Sequence, residues 1–219
     1  MHEAAAVSTA DIKTVLYLFI KRLVDIVAGL IGLILLIPIS LIIKIISICN
    51  GDFHKIIFVQ KRIGKNGKEF DFYKFRSMVP NADEVLFKML EENEEIAKEY
   101  AENKKLKDDP RITKVGKFIR RYSIDELPQL INVLKGDMTL VGNRPYLPRE
   151  KKDMGKYFND IVKTKPGITG YWQVSGRSDV SFKARLKMEQ YYSNNAGLRM
   201  DINILGKTVG AVLGHKGAE

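Results

Sequence analysis

The chain has 219 residues, 45% of them apolar, a formal charge of +10 and a single cysteine, Cys49. One cysteine excludes an internal disulfide, and the length allows one domain beside a membrane segment. The positive balance calls for anionic partners: nucleic acid, lipid headgroups or phosphorylated substrates. After a small, polar start (Met1 to Ala10), the chain is organised around Lys21–Cys49, KRLVDIVAGLIGLILLIPISLIIKIISIC, with no charge from Ile26 to Ile43. As straight helix that uncharged core is roughly 27 Å long, just enough for hydrocarbon about 30 Å thick. Pro38 interrupts it, and a proline inside a helix removes a hydrogen bond and kinks or breaks it. Both flanks are basic, with Lys21 and Arg22 before and Lys44, Lys55, Lys61 and Arg62 after. Positive flanks stay on the cytoplasmic side, so the reading is a re-entrant helix–break–helix turning near Pro38. A kinked single span and a buried soluble helix are its rivals. The run is too long, and lacks the cleavage site, for a removable signal peptide. Asp25 either pairs with Lys21 one turn earlier or anchors the helix at a set depth.

Beyond Gly51 the pattern changes. Ile56 to Gln60 and Glu69 to Ser77 read as strands joined by an Asn66-Gly67 turn, which is a hairpin signal. Alternation puts Lys74 and Arg76 on one strand face, where two cations suit an anionic group. Asn81 to Lys107 reads as one long charged helix, with Asn81 as cap and Glu84 at the third position. Lys114, Lys117, Arg120 and Arg121 follow as a basic helical run, and then comes SIDELPQLINVLKGDMTLVGNRP from Ser123 to Pro145. Ser123 and Glu126 have capping-box spacing, and Asp125 is a second candidate cap. The chemical alternative is a carboxylate pair, one acid binding Mg²⁺ and the other attacking phosphorus. Gly136 closes that helix, and Gly142 to Pro145 form a turn that displays Arg144. In KTKPGITGYWQVSGR, three glycines and the charges of Lys165 and Arg177 suit a diphosphate cradle. Leu198 to Leu213 is an amphipathic helix with Leu198, Ile202, Leu205, Val209 and Val212 along one face, for the core or for a membrane surface.

These stretches, in this order, resemble the bacterial sugar transferase family, the small monotopic polyprenyl-phosphate phosphoglycosyl transferases. The carrying residues are KRLVD at 21–25, the run around Pro38, YKFRSM at 73–78, the Ser123–Pro145 stretch and KPGITGYWQVSGR at 165–177. They cover nearly the whole chain, which reads as the family's minimal catalytic form or a piece of it. The resemblance implies transfer of a hexose 1-phosphate from a UDP-sugar to undecaprenyl phosphate, releasing UMP. Asp125 would be the nucleophile and Glu126 the Mg²⁺ ligand. Lys74, Arg76, Arg120, Arg144 and Arg177 would bind substrate phosphate. Three positions depart from the family pattern. Ile37 replaces a serine before the membrane proline, Asn143 replaces the first proline of a GPRP turn, and Glu189 replaces an aspartate three residues before a tyrosine, here Tyr192. Glu189 is carried over as a supporting acid.

The expected architecture is α+β and mainly helical. Residues 1–50 form a tail and re-entrant membrane hairpin; residues 51–219 form a cytoplasmic catalytic domain with a small β-hairpin and amphipathic surface helices. The implied place is the cytoplasmic face of the bacterial inner membrane, with UDP-sugar, undecaprenyl phosphate and membrane lipid as partners, no nucleic acid, and a homo-oligomer left open. Two other functions fit the charge and the apolar run: a membrane-tethered nucleic-acid binder, and a non-catalytic membrane scaffold. Release of UMP separates the enzyme from both.

Overall fold

In the computed structural model, which describes residues 9–103, 106–176 and 180–213, the apolar run is one helix, α1 (Thr9–Cys49). Pro38 lies inside it, so the expected break is not an interruption of helical backbone. The neighbouring residues are isoleucines, leucines and Ser40, with no turn-former to terminate the helix. Two bend-promoting features remain. Proline withholds the donor that the Ile34 carbonyl would receive, and the Ser40 hydroxyl donates back to the Leu36 carbonyl at 2.7 Å. At about 1.5 Å per residue, the 41-residue helix is roughly 60 Å long.

The hairpin forms as the Asn-Gly signal requires. Strand β1 (Ile57–Ile63) pairs antiparallel with β2 (Glu69–Phe75), Ile57 facing Phe75 and Ile63 facing Glu69. Asn66 and Gly67 turn the chain with φ of 58° and 78°, a region that these residues tolerate. The long helix expected next is instead two, α2 (Ala82–Glu92) and α3 (Glu94–Asn103). The division falls at Asn93, whose backbone is extended and whose Oδ1 accepts from the Glu95 and Ile96 amides. Asn93, not Asn81, therefore supplies a side-chain cap; Asn81 makes no such bond.

Helix α4 (Lys114–Arg121) is capped by Thr113, and α5 (Gln129–Lys135) ends at Gly136 with φ of 85°. Next, β3 (Thr139–Val141) pairs in parallel with β4 (Gly167–Thr169). Strands this short are too brief to show alternation, and the sequence reading did not contain them. Short helices α6 (Lys151–Met154), α7 (Phe158–Ile161) and α8 (Tyr171–Ser175) lead to α9 (Phe182–Asn195) and α10 (Leu198–Leu213). Helix α10 turns Asp201 and Ile204 inward and leaves Leu198, Ile202 and Val209 exposed.

Helix α1 meets the rest of the molecule along a single stripe. Asp25, Gly29, Leu36, Ile43 and Ser47 are buried, whereas Leu30, Ile34, Ile37, Leu41 and Ile45 are exposed. A Cβ on Gly32 would come within 2.3 Å of the Leu130 side chain, so glycine lets α1 and α5 approach closely. Leu36 and Ile43 share a core with Phe75 and Ile119, while Phe70 and Phe72 of the hairpin pack on Val133 and Met138. The KRLVD segment locks this arrangement. Arg22 donates to the last carbonyls of α5, at Val133 (2.6 Å) and Leu134 (2.8 Å), where a cation also complements the helix dipole. Asp25 accepts from the Thr139 hydroxyl and the Leu140 amide at 3.0 and 2.8 Å. Lys21 pairs with Asp201 of α10 and donates to the Val141 carbonyl. Asp25 is thus an anchor onto β3, and Lys21 spends its charge on α10.

Candidate active site

The centre of the site is a loop that does not cap a helix. Ser123 adopts a left-handed conformation (φ 54°), and Ile124–Glu126 form a single tight turn. Pro128 then leads into α5 without any side-chain cap. Both capping readings fail here. Proline already removes one of the helix's early donors, and Asp125 is occupied elsewhere. Its Oδ2 lies 2.7 Å from Lys74 Nζ of β2, in a residue only 3% exposed. The same ammonium is 3.9 Å from Glu126 Oε1, whose side chain stays about one-third open at 32%. One cation therefore bridges two adjacent acids.

Further cations surround the pair. Arg120, in the last turn of α4, donates from Nε to Ser77 Oγ at 2.8 Å. Burial lowers its pKa, while Asp125 and Glu126 act to raise it. Arg144 follows β3, and its backbone amide donates to Glu189 Oε1 at 3.0 Å. Burial raises the pKa of Glu126, opposed first by Lys74; the Asp125 charge raises it further, and Arg144 and Arg120 pull it down. Lys74 thus contacts both acids directly, while Arg120 and Arg144 influence Glu126 through their charge. Glu189 joins through Arg144; it is 1% exposed and its carboxyl is pushed up to about 7, chiefly by burial. Arg76 goes elsewhere: it lies just past the end of β2 and donates to both Asp52 oxygens (2.9 and 2.7 Å) and to the Lys55 carbonyl. It ties the loop after α1 to the hairpin. Arg177 lies outside the described residues.

This geometry meets an independent likeness in sequence. Residues 16–215 match the family model described as Bacterial sugar transferase. The chain belongs to the bacterial sugar transferase family. It is 47% identical over 204 residues to the undecaprenyl-phosphate galactose phosphotransferase of Salmonella typhimurium, covering 91% of this chain and 42% of that protein. It is 45% identical over 203 residues to the UDP-galactose-lipid carrier transferase of Erwinia amylovora, again covering 91% and 42%. The exopolysaccharide production protein ExoY of Sinorhizobium fredii is 37% identical over 199 residues, covering 90% of this chain and 87% of that protein. The chain thus spans less than half the length of the first two relatives.

Two buried side chains that the sequence reading missed hold the acids and cations in register. Ser77 positions Arg120. Asn132 of α5, fully buried, donates to the Asp71 carbonyl (2.6 Å) and accepts from the Tyr73 amide (3.1 Å). It fixes α5, which follows Asp125, to the strand carrying Lys74. An amide set among aliphatic residues in LINVL was a readable signal for Asn132; Ser77 stood in the YKFRSM stretch with nothing to mark a role for its hydroxyl. Asn143, which stands in the family's proline position, donates to Ser193 Oγ at 2.6 Å and to the Ile161 carbonyl at 3.2 Å. It replaces proline's rigidity with tertiary hydrogen bonds.

The donor set fits Mg²⁺. Among the described residues, no three His, Cys, Asp or Glu side chains converge. Mg²⁺ is commonly held by one or two carboxylates, with substrate phosphates and water filling the other positions. The partly open Glu126 is the better placed acid, because Asp125 is already held by Lys74.

Proposed function

We propose that this protein transfers a hexose 1-phosphate from a UDP-sugar to undecaprenyl phosphate through a covalent phosphosugar on Asp125. The observation that carries the reading is the buried Asp125 carboxylate, fixed 2.7 Å from Lys74. A second acid and two arginines stand beside it. Phosphoryl transfer asks mainly for positioning and charge neutralisation, which this arrangement provides.

In the first step an Asp125 oxygen attacks the β-phosphorus of the donor, and the bond to the bridging oxygen breaks. UMP leaves with that oxygen and its electron pair. In the second, a phosphate oxygen of undecaprenyl phosphate attacks the same phosphorus and displaces Asp125, giving undecaprenyl-diphosphate sugar. Lys74 exchanges its hold on Asp125 for the incoming phosphate, while Arg120 and Arg144 balance charge on the phosphoryl oxygens. Mg²⁺ held by Glu126 would neutralise the remaining diphosphate charge. A carboxylate nucleophile lets a water-soluble donor and a lipid acceptor react in turn at one site.

The outer face of α1 is apolar enough to sit in lipid. Basic flanks on both sides favour re-entry from the cytoplasmic face of the inner membrane over a crossing. The first two relatives are named for galactose, so UDP-galactose is the first donor to test, followed by other UDP-sugars. UMP release that needs undecaprenyl phosphate for turnover and stops in EDTA is the expected result. A protein that binds nucleic acid with steep salt dependence and ignores every UDP-sugar would instead favour the nucleic-acid reading.

A further inference from the structure

Arg185 of α9 is 9% exposed, yet its Nε–H has no hydrogen-bond partner among the described residues. Among the described residues, no carboxylate lies within ion-pair distance of it. Its guanidinium instead lies 4.4 Å from the centre of the Trp172 ring and 5.8 Å from that of Phe182. Its charged neighbours include Arg144, which disfavours its own charge, and Glu189 and Glu150, which favour it. Arg62 and Arg149 extend the positive side, since Arg62 is held down by burial and then by Arg144 and Arg149. Arg149 is itself paired with Asp83 at 4.0 Å, and burial holds Glu189, the buried acid nearby, toward its neutral form. A buried cation without a partner is costly, and a planar guanidinium stacked on a ring still has edge N–H groups free for oxygen. Arg144 connects this cluster to Glu126, whose ionisation it favours.

We infer that Arg185, braced on Trp172 beside Arg144, binds a phosphate group of the nucleotide donor. The inference rests on the proposed function for the identity of that donor, though not for the anion chemistry. Trp172 serves as the platform that orients the guanidinium.

The test measures binding of UDP and of inorganic pyrophosphate by calorimetry, to wild-type protein, Arg185→Lys and Arg185→Gln, with thermal unfolding in parallel. Both variants are expected to bind each probe about tenfold or more weakly, because a charge-assisted contact is lost or misaligned. The KM for UDP-sugar should rise while that for undecaprenyl phosphate stays unchanged. Arg185→Lys keeps the charge and most of the apolar stem, so it remains informative if Arg185→Gln does not fold. A lower melting temperature with unchanged affinity for both probes would overturn the inference and leave Arg185 a packing residue. If wild type binds pyrophosphate and the variants do not, yet UDP is ignored, the anion site stands and the UDP-sugar reading falls.

Discussion

Lys74 is the side chain on which the acid pair depends. Replacing it with glutamine leaves Asp125 and Glu126 adjacent with no ammonium between them, and removes charge from the transferred phosphoryl group. Lys74→Gln should therefore lower the rate of UMP release about a hundredfold or more, with a folded protein by circular dichroism. Glu189 gives a prediction in pH. The folded protein keeps its proton up to about pH 7, while the unfolded chain releases it near the ordinary glutamate value. The native state thus binds more protons over that window. The stabilisation this gives is present at low pH and is lost as pH rises toward 7. Melting temperature should fall between pH 5 and 7.5 more steeply in wild type than in Glu189→Gln; parallel curves would contradict the assignment. At this scale the sequence was readable where chemistry repeats a pattern. The adjacent acids and Lys74 do come together in the fold, and Arg120 and Arg144 act on Glu126 through their charge. Arg76 lies past Phe75, where β2 and its alternation end, and its side chain turns to Asp52, a pairing that strand periodicity does not foretell. Arg185 carried no signal in the sequence, because its place on Trp172 depends on how α8 and α9 pack.

Among the elements, the junction of β2 with α4 carries the tightest constraint. A Cβ on Gly116 would sit 1.9 Å from the Ser77 carbonyl oxygen, a backbone atom that cannot rotate away. The Ser77 hydroxyl in turn holds Arg120. Gly116→Ala should destabilise the protein by about 1–3 kcal/mol, the usual cost of forcing atoms into a packed site. It should also lower turnover by displacing Arg120, which a purely distant stability effect would not do at temperatures where the variant stays folded. Urea unfolding and initial rates at low temperature separate the two effects. The hairpin and α10 were legible from turn chemistry and periodicity. The division at Asn93 was hidden because charged helix-formers on both sides make an unbroken helical pattern. Strands β3 and β4 owe their pairing to partners distant in sequence, and no local signal announces that.

For the whole molecule, α1 joins an exposed apolar surface to the cluster of acids and cations around Asp125. Its length, its apolar outer face and the KRLVD lock onto α5, β3 and α10 are all present, while its course through a membrane depends on the flanking charges. With Cys49 replaced by serine, single cysteines at Ala10 and Lys65 should both label from the cytoplasmic side only. Labelling of the Ala10 site from the periplasm would mean that α1 crosses. The covalent step tests the central claim most directly. Wild-type protein is mixed with sugar-labelled UDP-sugar and no undecaprenyl phosphate, quenched rapidly and digested. The expected result is a stoichiometric phosphosugar on the peptide containing Asp125, one UMP per adduct, no adduct in Asp125→Asn, and a chase of label into lipid when undecaprenyl phosphate is added. No adduct at any quench time, with UMP appearing only when both substrates are present, would contradict it and make Asp125 a base or a metal ligand in direct transfer.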